Sequence, residues 1–327
     1  MKCVRADPNT QIPLMANLPS YRFSELKAFY VSGVDFAGPI FTTMHRSRGV
    51  RSVKSYICVF VCASTKAVHL ELVSDLSTDA FIAALRRFLS RRGHCSMLFS
   101  DQGTNFVGAD NKLRELAAAT GTSFGINWHF NPPGGPHFNG LSEAGVKSVK
   151  NHLTRVIGEQ ILTFEEMYTV LTQVEAVLNS RPLYPMSGDA NDLQPLTPAH
   201  FLVLGPLNSE LPEPNLTKRP LNRLDRWNLI QRMVQDFWGR WRDEYLHTLQ
   251  QRHKWSENSP GINVGDLVVI KHDQKPPLQW TFGRVCDIHP GQDGLVRVVS
   301  VNTTNGVLVR PVSKICLLPK KNRDNCN

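Results

Sequence analysis

The sequence has no long hydrophobic run and no apolar leader. Its longest apolar stretch, Tyr56–Ala63, is far shorter than the roughly 20 residues that a membrane-spanning helix needs. The first residues, Met1–Asp7, carry no apolar core of the kind found in a secretory signal. The sequence therefore predicts a soluble protein that is not secreted and does not cross a membrane.

Paired cysteines are also missing. The seven cysteines are scattered, their number is odd, and no Cys-x-x-Cys pair occurs. Disulfide frameworks are typical of secreted domains, so a reducing compartment is expected. Cys58 and Cys62 lie four residues apart in a predicted core strand, so they share one face and are expected to pack rather than bind metal.

Acidic residues are in the minority. The chain of 327 residues has 28 Asp and Glu against 37 Lys and Arg, which gives a formal charge of +9 and a pI of about 9.3. Such a balance favours a polyanionic partner, although a merely basic soluble protein is the alternative. The apolar fraction of 41% is enough for ordinary cores, and the length suits one to three domains.

The periodicity of apolar residues predicts an α/β first half. Strands are expected at 29–36, 52–63, 67–73, 95–100 and 124–130, and helices at 77–92, 109–120, 140–158 and 164–179. The pair Gly38-Pro39 is expected to stop the first strand, and Pro132–Pro136 is expected to form a loop. The segment Thr163–Glu166 fits a capping box at the start of the last helix. Three strands followed by alternating helices and strands predict an α/β layer with an antiparallel edge.

The second half changes character. Residues 184–224 are expected to form a connector, followed by one long helix over about 222–252. Apolar residues recur in it at about 3.5-residue spacing, from Trp227 to Tyr245, so it either packs on its own chain or forms a self-associating coiled coil. Residues 261–318 predict a small all-β barrel, and the tail Lys320–Asn327 is predicted to be disordered.

Three acidic residues stand where a metal site could form. Asp35 lies late in the first predicted strand, Asp101 directly follows the apolar run Met97–Phe99, and Glu143 lies on a predicted helix. Mg²⁺ prefers carboxylates, takes few protein ligands and keeps positions open for phosphate oxygens. Two such ions about 3.5–4 Å apart hold the attacking and leaving oxygens of a phosphoryl transfer.

Two lysines share a helix face with one of these acids. At 100° per residue, Lys147 and Lys150 lie on the same face as Glu143. The ordinary interpretation is a solvated face with an i,i+4 ion pair, worth only about 0.2–0.5 kcal/mol.

Six segments resemble those of retroviral and retrotransposon integrases, in particular the integrases of BEL/Pao-type elements. The similarity covers nearly the whole chain. It rests on Val34–Pro39, Ser100–Phe106, Asn139–Glu143, Asn179–Leu183, and the C-terminal segments Pro277–Trp280 and Gly283–Val285. Ser100–Phe106, which reads Ser-Asp-Gln-Gly-Thr-Asn-Phe, is the most specific of them.

This resemblance implies an RNase H-like core, a mixed five-stranded sheet with helices, followed by a long helix and a small SH3-like all-β barrel. It implies that Asp35, Asp101 and Glu143 hold two Mg²⁺ or Mn²⁺ ions and are catalytic. It implies trimming of element DNA ends and joining of the 3′ hydroxyl to target DNA. The expected contacts with double-stranded DNA are Lys147, Lys150, Asn105 and Arg155.

The same resemblance implies a domain plan and a location. We expect a lead-in at 1–28, a catalytic core at 29–205, a connector and long helix at 206–260, the barrel at 261–318 and a disordered tail at 319–327. A homo-oligomer on DNA, acting in the nucleus after transit through the cytoplasm, is expected.

The sequence departs from the family pattern at two points. The interval between Asp101 and Glu143 is longer than in many members, so Asp110 and Glu115 are alternative ligands. The family also carries an N-terminal His-His-Cys-Cys zinc domain, of which Cys3 resembles only the last ligand, so no zinc site is expected. The chain is thus expected to be part of an element polyprotein.

Two other functions stay open at this point. One is a catalytically inactive DNA-binding remnant, which the three acids would argue against. The other is an RNase H-type nuclease without strand transfer, which only the reaction products distinguish.

Overall fold

A computed structural model describes residues 27–47, 49–123, 125–131, 140–207, 214–220, 223–250, 262–271 and 275–319, with the backbone alone for 140–148. The predictions that concern Cys3, most of the lead-in, the Pro132–Pro136 loop and the tail from Lys320 onward lie outside the described residues. None of the described helices is both long and apolar enough to cross a bilayer.

The first half of the chain forms one mixed sheet. Its strands are β1 (Val31–Thr43), β2 (Val53–Cys62), β3 (Val68–Val73), β4 (Met97–Ser100), β5 (Asn127–Phe130) and β6 (Leu162–Thr163). They are ordered β3-β2-β1-β4-β5, and β6 pairs with the end of β1. The pairs β1–β2 and β2–β3 are antiparallel, whereas β1, β4 and β5 run parallel. This is an RNase H-like strand order, and the predicted fold class is confirmed.

Helices cover both faces of this sheet. They are α1 (Thr78–Arg92), α2 (Thr104–Thr120), α3 (Gly140–Ile157) and α4 (Phe164–Asn179). Alternate residues of β1 enter opposite cores: Val34 packs with α1 and α2, and Ala37 packs with α3 and α4. The α4 helix begins with the predicted capping box, in which the Thr163 and Glu166 side chains each accept the other's backbone N–H.

Two predicted boundaries were wrong. The first strand does not stop at Gly38-Pro39 but continues to Thr43, because a β-bulge between Ala37 and Ile40 absorbs the pair. Gly38 has φ of +137°, which glycine tolerates, and the bulge accommodates a proline that cannot donate a ladder hydrogen bond. The helix predicted at 109–120 begins earlier, at Thr104.

Side chains of α4 cover the exposed edge of β3. Asn179 accepts the backbone N–H of Val68 and donates to its carbonyl, both at 2.8 Å. Glu175 accepts the N–H of Leu70 at 2.8 Å. Because unpaired strand edges invite pairing with other chains, these bonds both satisfy the backbone and close the edge.

A buried ionic cluster fixes α1 and α4 to β3. His69 lies 3.0 Å from Glu71 and 3.2 Å from Glu175, and Arg87 donates to Glu71 at 2.6 Å. The Arg92 Nε atom lies 3.2 Å from His69 Nδ1, and Arg92 also pairs with Glu175. Burial lowers the pKa of His69, but hydrogen bonds with Glu175 and Glu71 outweigh burial and raise this pKa above 6.5. Charged His69 therefore stabilises the cluster.

The long helix α6 (Arg226–Leu249) packs against α3 and α4, so packing on its own chain is confirmed. Ile230, Phe237 and Trp241 from the predicted apolar pattern are buried in the core beneath it. Trp227, at the start of the same pattern, is 60% exposed. Before α6 the chain forms a short hairpin of β7 (Tyr184–Pro185) with β8 (Pro195–Leu196), and the single turn α5 (His200–Val203).

The C-terminal unit is an all-β sheet, as predicted. Its strands are β9 (Leu267–Ile270), β10 (Phe282–Pro290), β11 (Val296–Thr303), β12 (Gly306–Pro311) and β13 (Ile315–Leu317). They pair antiparallel in the order β12-β11-β10-β9-β13 around a small apolar core. An added Cβ at Gly283 would come within 2.3 Å of Val301, so only glycine fits there.

The motif Asn179–Leu183 lies where the core, α6 and this sheet meet. The Trp280 indole donates to the Ser180 hydroxyl at 3.1 Å, and the Tyr245 hydroxyl donates to the Pro182 carbonyl at 2.5 Å. Arg284 adds a bond of 2.6 Å to the Asp192 carbonyl in the β7–β8 hairpin. Partly buried hydrogen bonds thereby hold the C-terminal sheet against the core.

We predict that His69→Gln destabilises the fold more at low pH than at high pH. Because folding raises the pKa of His69, its contribution is complete below about pH 6.5 and is lost as pH rises through the folded-state pKa. Urea unfolding at about pH 5.5 and about pH 8.5 measures this difference. His247→Gln, a change at an exposed helix residue, is the control. An equal loss of unfolding free energy at both pH values would contradict the assignment.

Candidate active site

The parallel pairing of β1 with β4 brings Asp35 and Asp101 to the same level. The last paired positions are Gly33 and Phe99, and each aspartate follows its partner by two residues. Adjacent strands lie about 4.8 Å apart, and residues two apart share a face. Both aspartates therefore start from neighbouring backbone positions on the face of the sheet that α3 covers.

The two aspartates differ in their surroundings. Asp35 is half-buried, and its Oδ1 accepts the backbone N–H of Phe36 at 2.7 Å. Asp101 is exposed just beyond the end of β4, and its Oδ1 accepts the N–H of Gly103 at 2.9 Å. Each carboxylate thus accepts a backbone N–H through one of its oxygens, which helps to fix the orientation of the side chain.

Ser100 and Trp128 support the backbone at Asp101. The Trp128 indole on β5 donates to the Ser100 hydroxyl at 2.9 Å. That hydroxyl in turn donates to the Asp101 carbonyl at 2.8 Å. Since Ser100 and Trp128 are both buried, this chain limits how far the aspartate can move.

The turn after Asp101 is tightly packed around Gly103. A Cβ added at Gly103 would lie 2.6 Å from Asn105 Oδ1 and 3.0 Å from Asp101 Oδ1. Any larger residue would therefore displace one of these side chains. The Nδ2 atom of Asn105 is buried and, among the described residues, has no hydrogen-bond partner. A buried donor without a described partner in the turn after Asp101 is a candidate contact for a ligand.

The motif also starts α2 at the site. Phe106 anchors the first turn, because its ring stacks on Phe36 of β1 with centroids 5.3 Å apart. The N-cap position is Gly103, which supplies no side-chain cap to the first N–H groups of the helix. Free N–H groups and the helix dipole at this end favour a negatively charged ligand.

Glu143 lies in the first turn of α3, and its side chain is outside the described part of the molecule. The helix packs along β1, and its last residue, Ile157, lies in the same core as Ile40. From Ile157 back to Glu143 the helix rises roughly 21 Å, whereas β1 spans roughly 25 Å from Thr43 to Asp35. The placement of the Glu143 carboxylate beside Asp35 stays a prediction.

The structure describes the side chains of only some of the predicted DNA contacts on α3. Lys150 and Arg155 are exposed on α3, whereas the Lys147 side chain is outside the described residues. Of the alternative ligands, Asp110 is buried and accepts both its bonds, at 2.9 and 3.0 Å, from Arg114. Glu115 is exposed further along α2. The roles of all these residues stay predictions.

Asp35 within β1 and Asp101 just after β4 provide two carboxylates, the ligand type that suits a divalent cation. Among the described residues, no group of three or more acidic, His or Cys side chains could hold a metal ion. Two carboxylates are nevertheless enough for Mg²⁺, which keeps several waters. The third carboxylate predicted for the site, Glu143, stands outside that search.

Residues 225–318 match the model of a family of unknown function (DUF5641). No curated protein matches the chain. The chain is similar to one in the cryoEM structure of a simian T-cell lymphotropic virus intasome in complex with PP2A regulatory subunit B56 gamma. That similarity has a TM-score of 0.40 at 11% identity and covers 90% of this chain and 81% of the other. Similarity at this level assigns no activity.

Sequence reasoning missed the supporting residues. Ser100 belongs to the motif that carries Asp101, but its hydroxyl bond to the aspartate carbonyl depends on tertiary structure. Trp128 was visible only as one position of an alternating strand. Gly103 offered the one available signal, since a glycine between polar residues after a strand often marks a close approach.

We predict that Gly103→Ala lowers any metal-dependent activity of this site by about 10²-fold, the effect of a displacement of about 1 Å at a reacting centre. Thermal unfolding should change little, because the atoms displaced are ends of exposed or half-buried side chains. Gly121→Ala, at a positive-φ helix end with open space around it, is the control for general glycine effects. Wild-type activity in Gly103→Ala would show that the turn does not position the site.

Proposed function

We propose that this chain is a retroelement integrase of the BEL/Pao type. It would trim the ends of element DNA and join the 3′ hydroxyl to target DNA. The observation that carries the proposal is the matching register of Asp35 and Asp101 on adjacent parallel strands of an RNase H-like sheet. The motif around Asp101 supports the same chemistry.

Asp35, Asp101 and Glu143 would hold two Mg²⁺ or Mn²⁺ ions. When bound, these ions would activate the attacking oxygen and stabilise the leaving oxygen of an in-line phosphoryl transfer. The protein itself positions the carboxylate: Ser100 fixes the Asp101 backbone, and Gly103 fixes its side chain. Asn105 would donate its unpaired N–H to the bound nucleic acid.

Exposed cations on α3 would hold double-stranded DNA beside the acids. Lys150 and Arg155 are exposed on the helix that also carries Glu143 and Lys147. Phosphate contacts of this kind position a duplex without reading its sequence. The protein would act as a homo-oligomer on DNA in the nucleus, where target DNA is found.

A nuclease without strand transfer is the second candidate, because the same carboxylates also hydrolyse phosphodiesters in RNase H-like sites. Its products would be cleaved strands without joined DNA. An inactive DNA-binding remnant would bind duplex but give neither product. A single assay with Mg²⁺, labelled element-end duplex and a target plasmid therefore separates the three functions.

We predict that Asp101→Asn lowers strand transfer by about 10³-fold or more, since metal-ion stabilisation is worth several kcal/mol. The same change should abolish the rise in melting temperature that Mg²⁺ or Mn²⁺ gives by binding the folded state. Circular dichroism should be unchanged. Glu159→Gln, which removes an exposed carboxylate after α3, is the matched control. An unchanged metal-induced shift in Asp101→Asn would remove Asp101 from the metal site.

We predict that Lys150→Ala weakens duplex binding for all sequences alike. Losing one phosphate contact should lower the slope of log K against log salt by about 0.9. Titrations at several salt concentrations measure the slope. If wild type and mutant titrations superimpose, the α3 face is a solvated surface and DNA binds elsewhere.

A further inference from the structure

The bulge at Gly38-Pro39 lets β1 and β2 extend as a hairpin past the aspartates. Beyond the bulge, Phe41 pairs with Lys54 and Thr42 with Val53. On the other side of β2, β3 reaches only to Tyr56, so no described strand covers the β2 edge of the hairpin, whereas β6 pairs with its β1 edge at Thr42 and Thr43. A turn closed by Val50 N–H to Ser47 C=O lies at the hairpin tip.

This hairpin is strongly basic. No Asp or Glu occurs between Asp35 and Glu71, whereas Arg46, Arg51 and Lys54 are all exposed. Arg51 and Lys54 form no ion pair with any described residue. The hairpin therefore presents uncompensated positive charge.

The net charge around Arg46 is also positive, although Arg46 forms an ion pair. It pairs with the buried Glu166, which also accepts a bond from Arg226 at 2.6 Å. The guanidinium groups of Arg46, next to the tip turn, and of Arg226 thus share one carboxylate. The pair with Glu166 also fixes the hairpin to the start of α4.

Apolar side chains accompany these charges. Phe41 is 47% exposed opposite Lys54, and Met44 is 74% exposed. The hairpin has a cation on each side, since Arg46 contacts α4 and Lys54 lies on the face of the sheet that carries α1 and α2. Exposed cations beside apolar side chains on the open β2 side of the hairpin suit the phosphates and the groove of duplex DNA.

The α3 helix leads from the aspartates to the hairpin. Its C-terminal end lies beside the end of β1, where β6 pairs with Thr42 and Thr43. Lys150 and Arg155 are exposed along this path. The distance from Asp35 to Thr43 along β1 is roughly 25 Å, which corresponds to about seven base pairs of DNA.

We propose, building on the DNA-joining function above, that the hairpin Phe41–Lys54 is a further binding surface for duplex DNA. It would hold the phosphate backbone about seven base pairs from the reacting end. The contact is with phosphates and the groove, so it is independent of base sequence.

The test is the salt dependence of binding to a 30-base-pair duplex of random sequence by the full chain. Arg51→Ala with Lys54→Ala removes two phosphate contacts and should lower the slope of log K against log salt by about 1.8. Arg86→Ala with Lys112→Ala is the matched control, because it removes two exposed cations from α1 and α2. Circular dichroism verifies that both double variants fold.

A second measurement locates the contact. With the photocrosslinker benzoylphenylalanine in place of Ser52, crosslinks to the joined product should fall about six to eight base pairs from the joined end. Equal slopes in wild type and Arg51→Ala/Lys54→Ala, or crosslinks confined to the joined end, would overturn the proposal.

Failure of the hairpin and failure of the enzyme are distinguishable. If wild type joins DNA and the slopes are equal, the hairpin assignment alone is wrong. If the slope falls by about 1.8 but no joined product forms, the hairpin binds DNA and the proposed reaction is wrong.

Discussion

The parallel pairing of β1 with β4 is the constraint on which the candidate site depends. It sets Asp35 and Asp101 at one level, although 65 positions separate them in the chain. A slip of one residue in this register would turn one carboxylate to the opposite face of the sheet. The alternation of β1 between two apolar cores makes such a slip costly, since Val34 and Ala37 would exchange environments.

A second constraint holds the C-terminal sheet against the core. Trp280 donates to Ser180 while its ring packs edge-on against Trp238, with centroids 4.7 Å apart. Arg284 is buried, and its guanidinium donates hydrogen bonds to the carbonyls of Gly265 and Asp192. These contacts make the C-terminal sheet part of the same body as α6 and the core, so any DNA it contacts would be positioned relative to the aspartates.

Much of this architecture could be predicted because it depends on local sequence patterns. Apolar periodicity located the sheet and helices, and the capping box at Thr163 set the start of α4. The motif after β4 identified Asp101. Two features of the tertiary structure could not be predicted from local patterns. One is the bulge through which β1 continues past Gly38-Pro39, and the other is the hydrogen bond that Ser180 accepts from an indole 100 residues away. Neither depends on neighbours in sequence.

The central claim is that Asp35 and Asp101 share one divalent metal ion. Crystals of the chain soaked in Mn²⁺ and measured at the manganese absorption edge test it directly, because anomalous density locates the ion without reference to activity. The account predicts a peak bridging the two carboxylates, within about 2.0–2.3 Å of an oxygen of each. Anomalous density bound only at other carboxylates, with Asp35 and Asp101 ordered and unligated, would contradict it.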